Sequence, residues 1–219
     1  MQRIKAIETL SGLVTEEDLF TTSVGILWDD WWNNRPGGVD NTFSPAAIGS
    51  VSPLALGIAM ALPHRRVIAL DTDGSMLMNT GTMCTLGAER PPNLTIVVFD
   101  NEIYESIGGS PTLTSRNTDL AKMAEGAGCI NVVTVDDPEG LTLEAKRLLT
   151  DDEFGYLVVK IEPGIKKWAQ EQRKPTDGVE DKYRFRRYVE RLEGFRLYGG
   201  ADQSHVGEVN RGPSSPTAQ

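Results

Sequence analysis

Two short segments of the chain carry the kinds of side chains that bind a divalent cation. Asp73-Gly74-Ser75 follows an apolar run at Val67–Leu70, and Asp100-Asn101 follows a second apolar run at Leu94–Phe99. A carboxylate and an amide oxygen, completed by a backbone carbonyl and by phosphate oxygens, form the hard octahedral site that Mg²⁺ prefers. A glycine lets the backbone approach a phosphate, and a following helix adds N–H groups that bind anions. The two segments together therefore predict a site for Mg²⁺ and a phosphorylated ligand.

Each segment alone has an ordinary structural explanation, because Asp-Gly or Asn after a strand is usually only a turn or a cap. Their spacing makes the pair more specific. The residues at positions 75–100 provide one predicted helix, Met76–Ala88, and one predicted strand. In a parallel α/β sheet, ligands bind outside the carboxyl ends of the strands, so both segments are expected at the same edge.

The elements that would position this site alternate between strands and helices. This alternation predicts an α/β fold with a doubly wound, mostly parallel sheet and helices on both faces. The strands are nearly continuous apolar runs, which is typical of parallel strands buried on both sides. The predicted strands are Leu19–Thr22, Val67–Leu70, Leu94–Phe99, Ile130–Val135 and Tyr156–Ile161, and the predicted helices are 2–13, 50–62, Met76–Ala88, Asp119–Ala127 and Pro138–Leu149.

The chain divides into three parts by composition. Residues 1–164 are predicted to form the α/β domain, and residues 165–200 a charged C-terminal extension with an amphipathic helix. Residues 201–219 are rich in Gly, Ser and Pro and are expected to be disordered. Four arginines of the extension are predicted to lie on the solvated or partner-facing side of its helix: Arg184, Arg186, Arg187 and Arg191.

Three tryptophans, Trp28, Trp31 and Trp32, fall in a stretch that we predict to be irregular, ahead of a turn at Arg35-Pro36-Gly37-Gly38. The favoured interpretation is a local hydrophobic anchor. A subunit contact or an active-site wall is the alternative, since aromatic residues are enriched at interfaces.

Composition argues against several classes of protein. With 22 basic and 31 acidic residues the net charge is −9, which disfavours nucleic-acid or anionic-membrane partners. Cys84 and Cys129 stand in apolar contexts and are expected to be small core residues, not a metal or disulfide motif. We see no signal peptide and no run of roughly 20 apolar residues that could span a membrane. The expectation is a cytoplasmic protein.

The pattern Thr72-Asp73-Gly74 … Asn101 resembles the GDG…N signature of thiamine-diphosphate enzymes. Residues 47–113 are similar to the diphosphate-binding β subunit of sulfopyruvate decarboxylase and to the matching half of phosphonopyruvate decarboxylase, and a looser similarity extends from residue 1 to about 164. The matching segments are Ile48-Gly49-Ser50, Asp73–Asn79, Asn93–Val98, Asp100-Asn101, Gly108-Gly109 and Pro111-Thr112.

The resemblance implies thiamine diphosphate and Mg²⁺ as cofactors. Asp73 and Asn101 would bind Mg²⁺ through their side chains, and Ile103 would bind it through its carbonyl. The residues expected to surround the diphosphate are Gly74, Ser75, Tyr104 and Ser106.

The same resemblance places Gly49, Ser50 and Val51 at the pyrimidine side of the cofactor. The Gly49 carbonyl would accept a hydrogen bond from the aminopyrimidine, and Val51 would act as the apolar wedge that bends the cofactor. The sequence departs from the family pattern at five positions. Thr72 replaces the first Gly of GDG, Val51 and Ser52 replace the Met and the last Gly of Gly-Ser-Met-Gly, Glu102 follows the Asn, and Ser110 replaces a Gln. We expect these changes to affect the substrate pocket more than the metal site.

The implied reaction is decarboxylation of a small 2-oxo acid to CO₂ and an aldehyde. The activating Glu of this enzyme class belongs to a separate pyrimidine-binding domain, for which this chain has no room. A partner α subunit is therefore expected to supply it in a hetero-oligomer. The resemblance leaves the catalytic residue of this chain unknown.

Three other functions remain as alternatives. A carboligase or acyl-transfer subunit would use the same site. A 2-oxo acid:ferredoxin oxidoreductase subunit is disfavoured because the two cysteines are isolated. A non-catalytic Rossmann-like nucleotide-binding module would need a Gly-rich loop after the first strand, which Ser23-Val24-Gly25 does not provide.

Other titratable side chains have structural interpretations. His64 is expected to be structural or exposed. Glu105 could face a substrate, but a solvated loop carboxylate is the favoured interpretation. Arg116 and the pair Lys166-Lys167 are expected at the surface.

Overall fold

The computed structural model describes residues 1–35, 40–173 and 177–196. Its strands are β1 Leu19–Thr22, β2 Thr42–Phe43, β3 Val67–Thr72, β4 Leu94–Asp100, β5 Ile103–Tyr104, β6 Ser110–Pro111, β7 Val132–Val135 and β8 Gly155–Lys160. Its α-helices are α1 Arg3–Ser11, α2 Ile26–Asn34, α3 Val51–Ala61, α4 Asp73–Met78, α5 Gly81–Glu89, α6 Leu120–Gly126, α7 Pro138–Thr150 and α8 Gly178–Glu193.

Six strands form one parallel sheet in the order β2-β1-β3-β4-β8-β7. The short strands β5 and β6 pair separately as an antiparallel hairpin. The chain builds outward from β1 in one direction to β2 and in the other to β3. The strand order therefore reverses beside β1 and β3, where open α/β sheets form their ligand-binding crevice.

Side chains of the sheet alternate between two hydrophobic cores, one on each face. On β3, Val67 and Ala69 belong to one core, whereas Ile68 and Leu70 belong to the other. Helices α3, α5, α6 and α8 cover the first core, and α1, α2 and α7 cover the second. The predicted doubly wound α/β fold, with helices on both faces, is therefore confirmed.

The predicted irregular stretch around the tryptophans is wrong, because Ile26–Asn34 forms helix α2. Trp28 and Trp31 are buried. The ring of Trp31 lies 4.8 Å from that of Phe20, and its Nε1 donates to Thr42 Oγ1 at 3.2 Å. This burial supports the hydrophobic-anchor interpretation. The helical signal was the spacing of Leu27, Trp28 and Trp31 on one face of the helix.

The single helix predicted at Met76–Ala88 is also wrong. The structure has two helices, α4 and α5, that are separated at Asn79 and Thr80. The Asn79 side chain donates to the Gly49 carbonyl at 2.9 Å, which holds this residue outside the helix. Cys129 is buried as predicted, but Cys84 is exposed, because α5 turns Met83 and Leu86 toward the core instead.

Helix α8 of the C-terminal extension packs against the first core through Phe185 and Val189. Arg184 is buried and pairs with Asp181 at 2.6 Å, so its predicted exposure is wrong. The tail 201–219 and most of the predicted turn at 35–38 lie outside the described residues. Within the part of the chain that the structure describes, no helix is both long enough and apolar enough to cross a membrane.

Candidate functional site: a cleft at the carboxyl ends of β1, β3 and β4

A cleft of about 200 Å³ opens at the carboxyl edge of the sheet, beside the point where the strand order reverses. Its walls come from the segments that follow β1, β3 and β4. Seven of the predicted site residues line it: Asp73, Gly74, Ser75, Asn101, Ile103, Tyr104 and Ser106. The structure thus brings together the two segments that the sequence separates.

Asp73 is the first residue of α4 and is buried. Its Oδ2 accepts hydrogen bonds from Thr112 Oγ1 at 2.6 Å and from Thr114 Oγ1 at 3.2 Å. Thr114 Oγ1 also lies 2.8 Å from Asp100 Oδ1, so one hydroxyl connects the two carboxylates.

The charge of Asp73 has no cationic partner among the described residues, whereas Asp100 pairs with Lys160 at 2.9 Å. The pKa of Asp73 is raised to about 6, chiefly by burial and also by the nearby charge of Asp100, while the hydrogen bonds from the threonines act in the opposite direction. A bound cation at this position would relieve the cost of ionising a buried acid.

Asn101 is held in a defined orientation by two neighbours. Its Nδ2 donates to Glu105 Oε2 at 3.2 Å, and its Oδ1 accepts from the backbone N–H of Ile103 at 3.3 Å. The interpretation of Glu105 as a solvated carboxylate is wrong, since its side chain is 10% exposed and pairs with Arg3 at 2.6 Å.

Gly74 gives the cleft its shape on the α4 side. A Cβ atom there would lie 2.6 Å from Cε1 of Tyr104, so only glycine allows the tyrosine ring to lie so close to the turn. Tyr104 belongs to the small hairpin, in which it pairs with Ser110. The hairpin, which the sequence did not predict, therefore positions one wall of the cleft.

Gly49 is fixed against α4 from both sides, in a backbone conformation with φ of +80°. Its N–H donates to Ser75 Oγ at 3.0 Å, and its carbonyl accepts from Asn79 Nδ2 at 2.9 Å. A carbonyl has a second lone pair, so Gly49 keeps the acceptor capacity expected of it. Gly49, Ser50 and Val51 do not line the cleft, and the Val51 side chain is fully buried in the first core.

Four further residues of the site were missed by sequence reasoning. Thr112 belongs to the matching segment Pro111-Thr112, but the sequence assigned no role to it or to Thr114, and both hydroxyls donate to Asp73. Lys160 neutralises Asp100 from the end of β8. Asp71 is a buried acid within an apolar strand, where it accepts from Ser52 Oγ at 2.7 Å, and burial raises its pKa. A charged residue at an otherwise apolar strand position was the available signal for Asp71.

The donor set of the cleft suits Mg²⁺. It offers one carboxylate, one amide oxygen and one backbone carbonyl, which are hard oxygen ligands that leave room for phosphate oxygens. No group of three or more His, Cys, Asp or Glu side chains within residues 1–35, 40–173 and 177–196 could hold a metal ion. An all-protein cage is therefore absent from these ranges, as expected of a site completed by a phosphorylated cofactor.

Comparison with known families decides the identity of this fold. The profile described as thiamine pyrophosphate enzyme, C-terminal TPP binding domain, matches residues 22–161. The chain belongs to this family. The predicted thiamine-diphosphate-binding fold and its cofactor are thereby confirmed.

Two relatives show which members of the family this chain is similar to. The β subunit of sulfopyruvate decarboxylase from Methanocaldococcus jannaschii is 30% identical over 190 residues, which cover 87% of this chain and 98% of that subunit. Phosphonopyruvate decarboxylase from Streptomyces viridochromogenes is 36% identical over 118 residues, which cover 54% of this chain and 29% of that enzyme. The predicted resemblance to both decarboxylases is confirmed.

Solved structures agree on the fold. Benzoylformate decarboxylase from Polynucleobacter necessarius superposes with a TM-score of 0.64 at 17% identity, covering 77% of this chain and 34% of that chain. This thiamine-diphosphate-binding chain thus spans about a third of the benzoylformate decarboxylase chain and almost the whole of the sulfopyruvate decarboxylase β subunit.

Proposed function

We propose that this chain is the diphosphate-binding subunit of a heteromeric 2-oxo acid decarboxylase that depends on thiamine diphosphate and Mg²⁺ and releases CO₂ and an aldehyde. The observation that carries the proposal is the cleft in which Asp73, a buried carboxylate without a cationic partner among the described residues, lies with Asn101. The family and its decarboxylase relatives support the same chemistry.

Different residues of this chain would bind different parts of the cofactor and its metal ion. Asp73 and Asn101 bind Mg²⁺ through side-chain oxygens, and Ile103 binds it through its carbonyl. Four residues of the lining surround the diphosphate: Gly74, Ser75, Tyr104 and Ser106. Gly49 follows Ile48 of the lining, and its carbonyl would be the acceptor on the pyrimidine side of the cofactor. Ser50 and Val51 follow it at the start of α3.

When bound, thiamine diphosphate supplies the nucleophilic carbon for the 2-oxo group and the electron sink that lets CO₂ leave. The contribution of this chain is to hold the cofactor in one place, to keep water away from the buried Asp73, and to balance the charge of the diphosphate through Mg²⁺.

A partner subunit must supply the activating carboxylate. Glu105 is the one glutamate among the described residues that line the cleft, and its oxygens are already engaged by Arg3, by Asn101 and by the backbone N–H of Gly164. It is therefore not available to protonate a pyrimidine ring.

The mouth of the cleft also fits a partner. Ile48 and Ile107 line the cleft, Met78 ends α4, and Leu113 follows Thr112. All four apolar side chains are at least half exposed. An exposed apolar group of this kind around a polar site is typical of a protein–protein interface. We place the pyrimidine-binding α subunit on this surface.

The test is an assay of the purified pair. The chain is co-expressed with its α subunit and incubated with thiamine diphosphate, Mg²⁺ and sulfopyruvate, phosphonopyruvate or pyruvate, while CO₂ and aldehyde are measured. We expect products only when both subunits and both cofactors are present, and a preference among the three acids. Activity of this chain alone, or activity without thiamine diphosphate, would refute the proposal.

A carboligase or acyl-transfer subunit is the second candidate, because it would use the same site. Repeating the assay with an acceptor aldehyde separates the two reactions. Carboligation would be the main reaction if a hydroxyketone formed in place of the free aldehyde, and if it formed faster than CO₂ is released in the absence of the acceptor.

A further inference from the structure

We infer that Glu105 is a positioning residue, fixed by Arg3, that determines which atom of the Asn101 carboxamide is presented to the cation. The inference rests on the proposed function, since it requires Asn101 to be a metal ligand. In this inference, the Glu105 carboxylate contacts Asn101, which is the metal ligand, and does not contact the metal itself.

The orientation of an asparagine side chain must be set by its neighbours, because its oxygen and nitrogen ends have nearly the same shape. A carboxylate can only accept, so Glu105 Oε2 requires the Nδ2 end of Asn101, 3.2 Å away. The N–H of Ile103 can only donate, so it requires the Oδ1 end, at 3.3 Å. Both neighbours therefore favour the same orientation of the Asn101 carboxamide, and in this orientation a lone pair of Oδ1 remains for a cation.

Glu105 can hold this orientation because it is itself immobilised. Arg3 Nη1 donates to its Oε2 at 2.6 Å, and the backbone N–H of Gly164 donates to its Oε1. The remaining donors of Arg3 reach Asp30 Oδ2 at 2.7 Å and the Gly164 carbonyl at 2.7 Å. Three contacts in different directions need a guanidinium, because a lysine ammonium could make only part of them.

The network extends beyond the domain. Asp30 is almost fully buried, and its second oxygen accepts from Trp168 Nε1 of the C-terminal extension at 2.6 Å. A continuous chain of hydrogen bonds thus runs from the extension through Asp30 and Arg3 to Glu105 and from there to Asn101. Without this arrangement, a glutamate so close to Asn101 could rotate and bind the cation itself.

The same loop supplies a matched control. Glu102 lies three residues before Glu105, carries the same charge, and pairs with Lys160 at 2.6 Å. Its side chain is 44% exposed, and its carboxylate accepts a hydrogen bond from Lys160 and not from the Asn101 side chain. Replacing either glutamate with glutamine removes one negative charge near the cleft, but only the Glu105 variant changes a contact to Asn101.

The experiment uses Mn²⁺ as the probe, in the full-length chain purified with its partner subunit and saturated with thiamine diphosphate. Loss of the electron paramagnetic resonance signal of free Mn²⁺ gives the dissociation constant. We expect Glu105→Gln to bind Mn²⁺ about tenfold more weakly than wild type, as is usual when the hydrogen-bond partner of a metal ligand is lost. Glu102→Gln should differ from wild type by less than about twofold, because exposed charges contribute little.

A double-substitution cycle tests whether Glu105 acts through Asn101. In an Asn101→Ala background, adding Glu105→Gln should produce no further loss, whereas independent effects would add. A further tenfold loss in that background, or equal effects of the two glutamine variants in wild type, would overturn the inference. If Asn101→Ala alone left Mn²⁺ binding unchanged, the metal assignment of the proposed function would fail as well, so the two failures are distinguishable.

Folding is controlled separately. The metal-free variants are compared by thermal unfolding, and only variants with a cooperative transition enter the titration. If Glu105→Gln did not fold, Glu105→Asp would replace it, with Glu102→Asp as its control. The shorter side chain keeps the charge for Arg3 but cannot reach Arg3, Gly164 and Asn101 together, so weaker Mn²⁺ binding is again expected, and wild-type binding would contradict the inference.

Discussion

Buried carboxylates at the two ends of the parallel sheet have different hydrogen-bond and charge partners. At the amino end, Asp18 precedes β1 and receives two hydrogen bonds from the guanidinium of Arg66, one of them at 2.7 Å, and a third from the backbone N–H of Thr15 at 2.6 Å. At the carboxyl end, the side chains that donate to Asp73 are the neutral hydroxyls of Thr112 and Thr114, and Asp73 lies near a second acid, Asp100.

This difference separates a structural role from a functional one. An arginine beside Asp18 neutralises the charge at all times, so the pair supports the folded state. In the proposed function, the charge of Asp73 is left for an ion that arrives with the cofactor, which costs stability in the free chain. Strongly perturbed acids of this kind cluster at functional sites because a paired acid has no capacity left for a ligand.

The largest expected effect comes from Asp73→Asn. The substitution keeps the shape and the oxygen that accepts from the threonines, but it removes the charge that binds the cation. We expect the affinity for thiamine diphosphate with Mg²⁺ to fall by at least about 100-fold, in line with losing a carboxylate ligand. Calorimetric titration of the co-purified pair measures it, and an affinity within tenfold of wild type would contradict the assignment.

The matched change at the other end is Asp18→Asn. It leaves Arg66 partly buried without its full partner, so we expect the free energy of unfolding to fall by about 1–3 kcal/mol, reduced from the value for fully buried pairs because Arg66 is partly exposed. Cofactor affinity should not change. Urea unfolding together with the same titration tests both statements, and a loss of affinity equal to that of Asp73→Asn would remove the contrast between the two ends.

The last expected effect concerns pH. The pKa of Asp73 is raised from 3.8 to about 6, so the folded chain binds a proton more tightly than the unfolded chain. Asp73 should therefore lower the stability of the metal-free chain by at most about 3 kcal/mol as pH rises from about 4 to about 6, and should add little above that range. Asp73→Asn should remove this contribution and leave that of Asp71, whose pKa burial also raises, whereas Asp18→Asn should keep both.

Metal binding should show the opposite trend to apo stability. Mg²⁺ requires the ionised carboxylate, so affinity should fall as pH drops below about 6. Stability measured by urea unfolding without metal and affinity measured by titration at the same pH values give the two curves. Parallel curves, in place of opposing ones, would show that another group dominates.

The sequence alone was sufficient for the alternation of strands and helices, because buried parallel strands such as Leu94–Asp100 are continuous apolar runs. It was also sufficient to predict that Asp73 and Asn101, which follow neighbouring strands, lie at one edge of the sheet, and both line the same cleft. The sequence-based prediction was wrong where contacts of individual side chains, and not hydrophobic periodicity, determine the backbone conformation. Asn79 interrupts a helix by binding Gly49, and Trp28 and Trp31 form a helix because their burial outweighs the loop-like composition around them.

Local sequence therefore determined the alternation of strands and helices, the family and the two segments proposed to carry the chemistry. Only the tertiary structure decided which groups surround those segments. Thr114 connects Asp73 to Asp100, and Arg3 reaches Glu105 from about a hundred residues away in sequence. The reason is physical: hydrogen bonds and charges act over a few ångströms in space, and the sheet brings together strand ends whose distance in sequence gives no measure of that proximity.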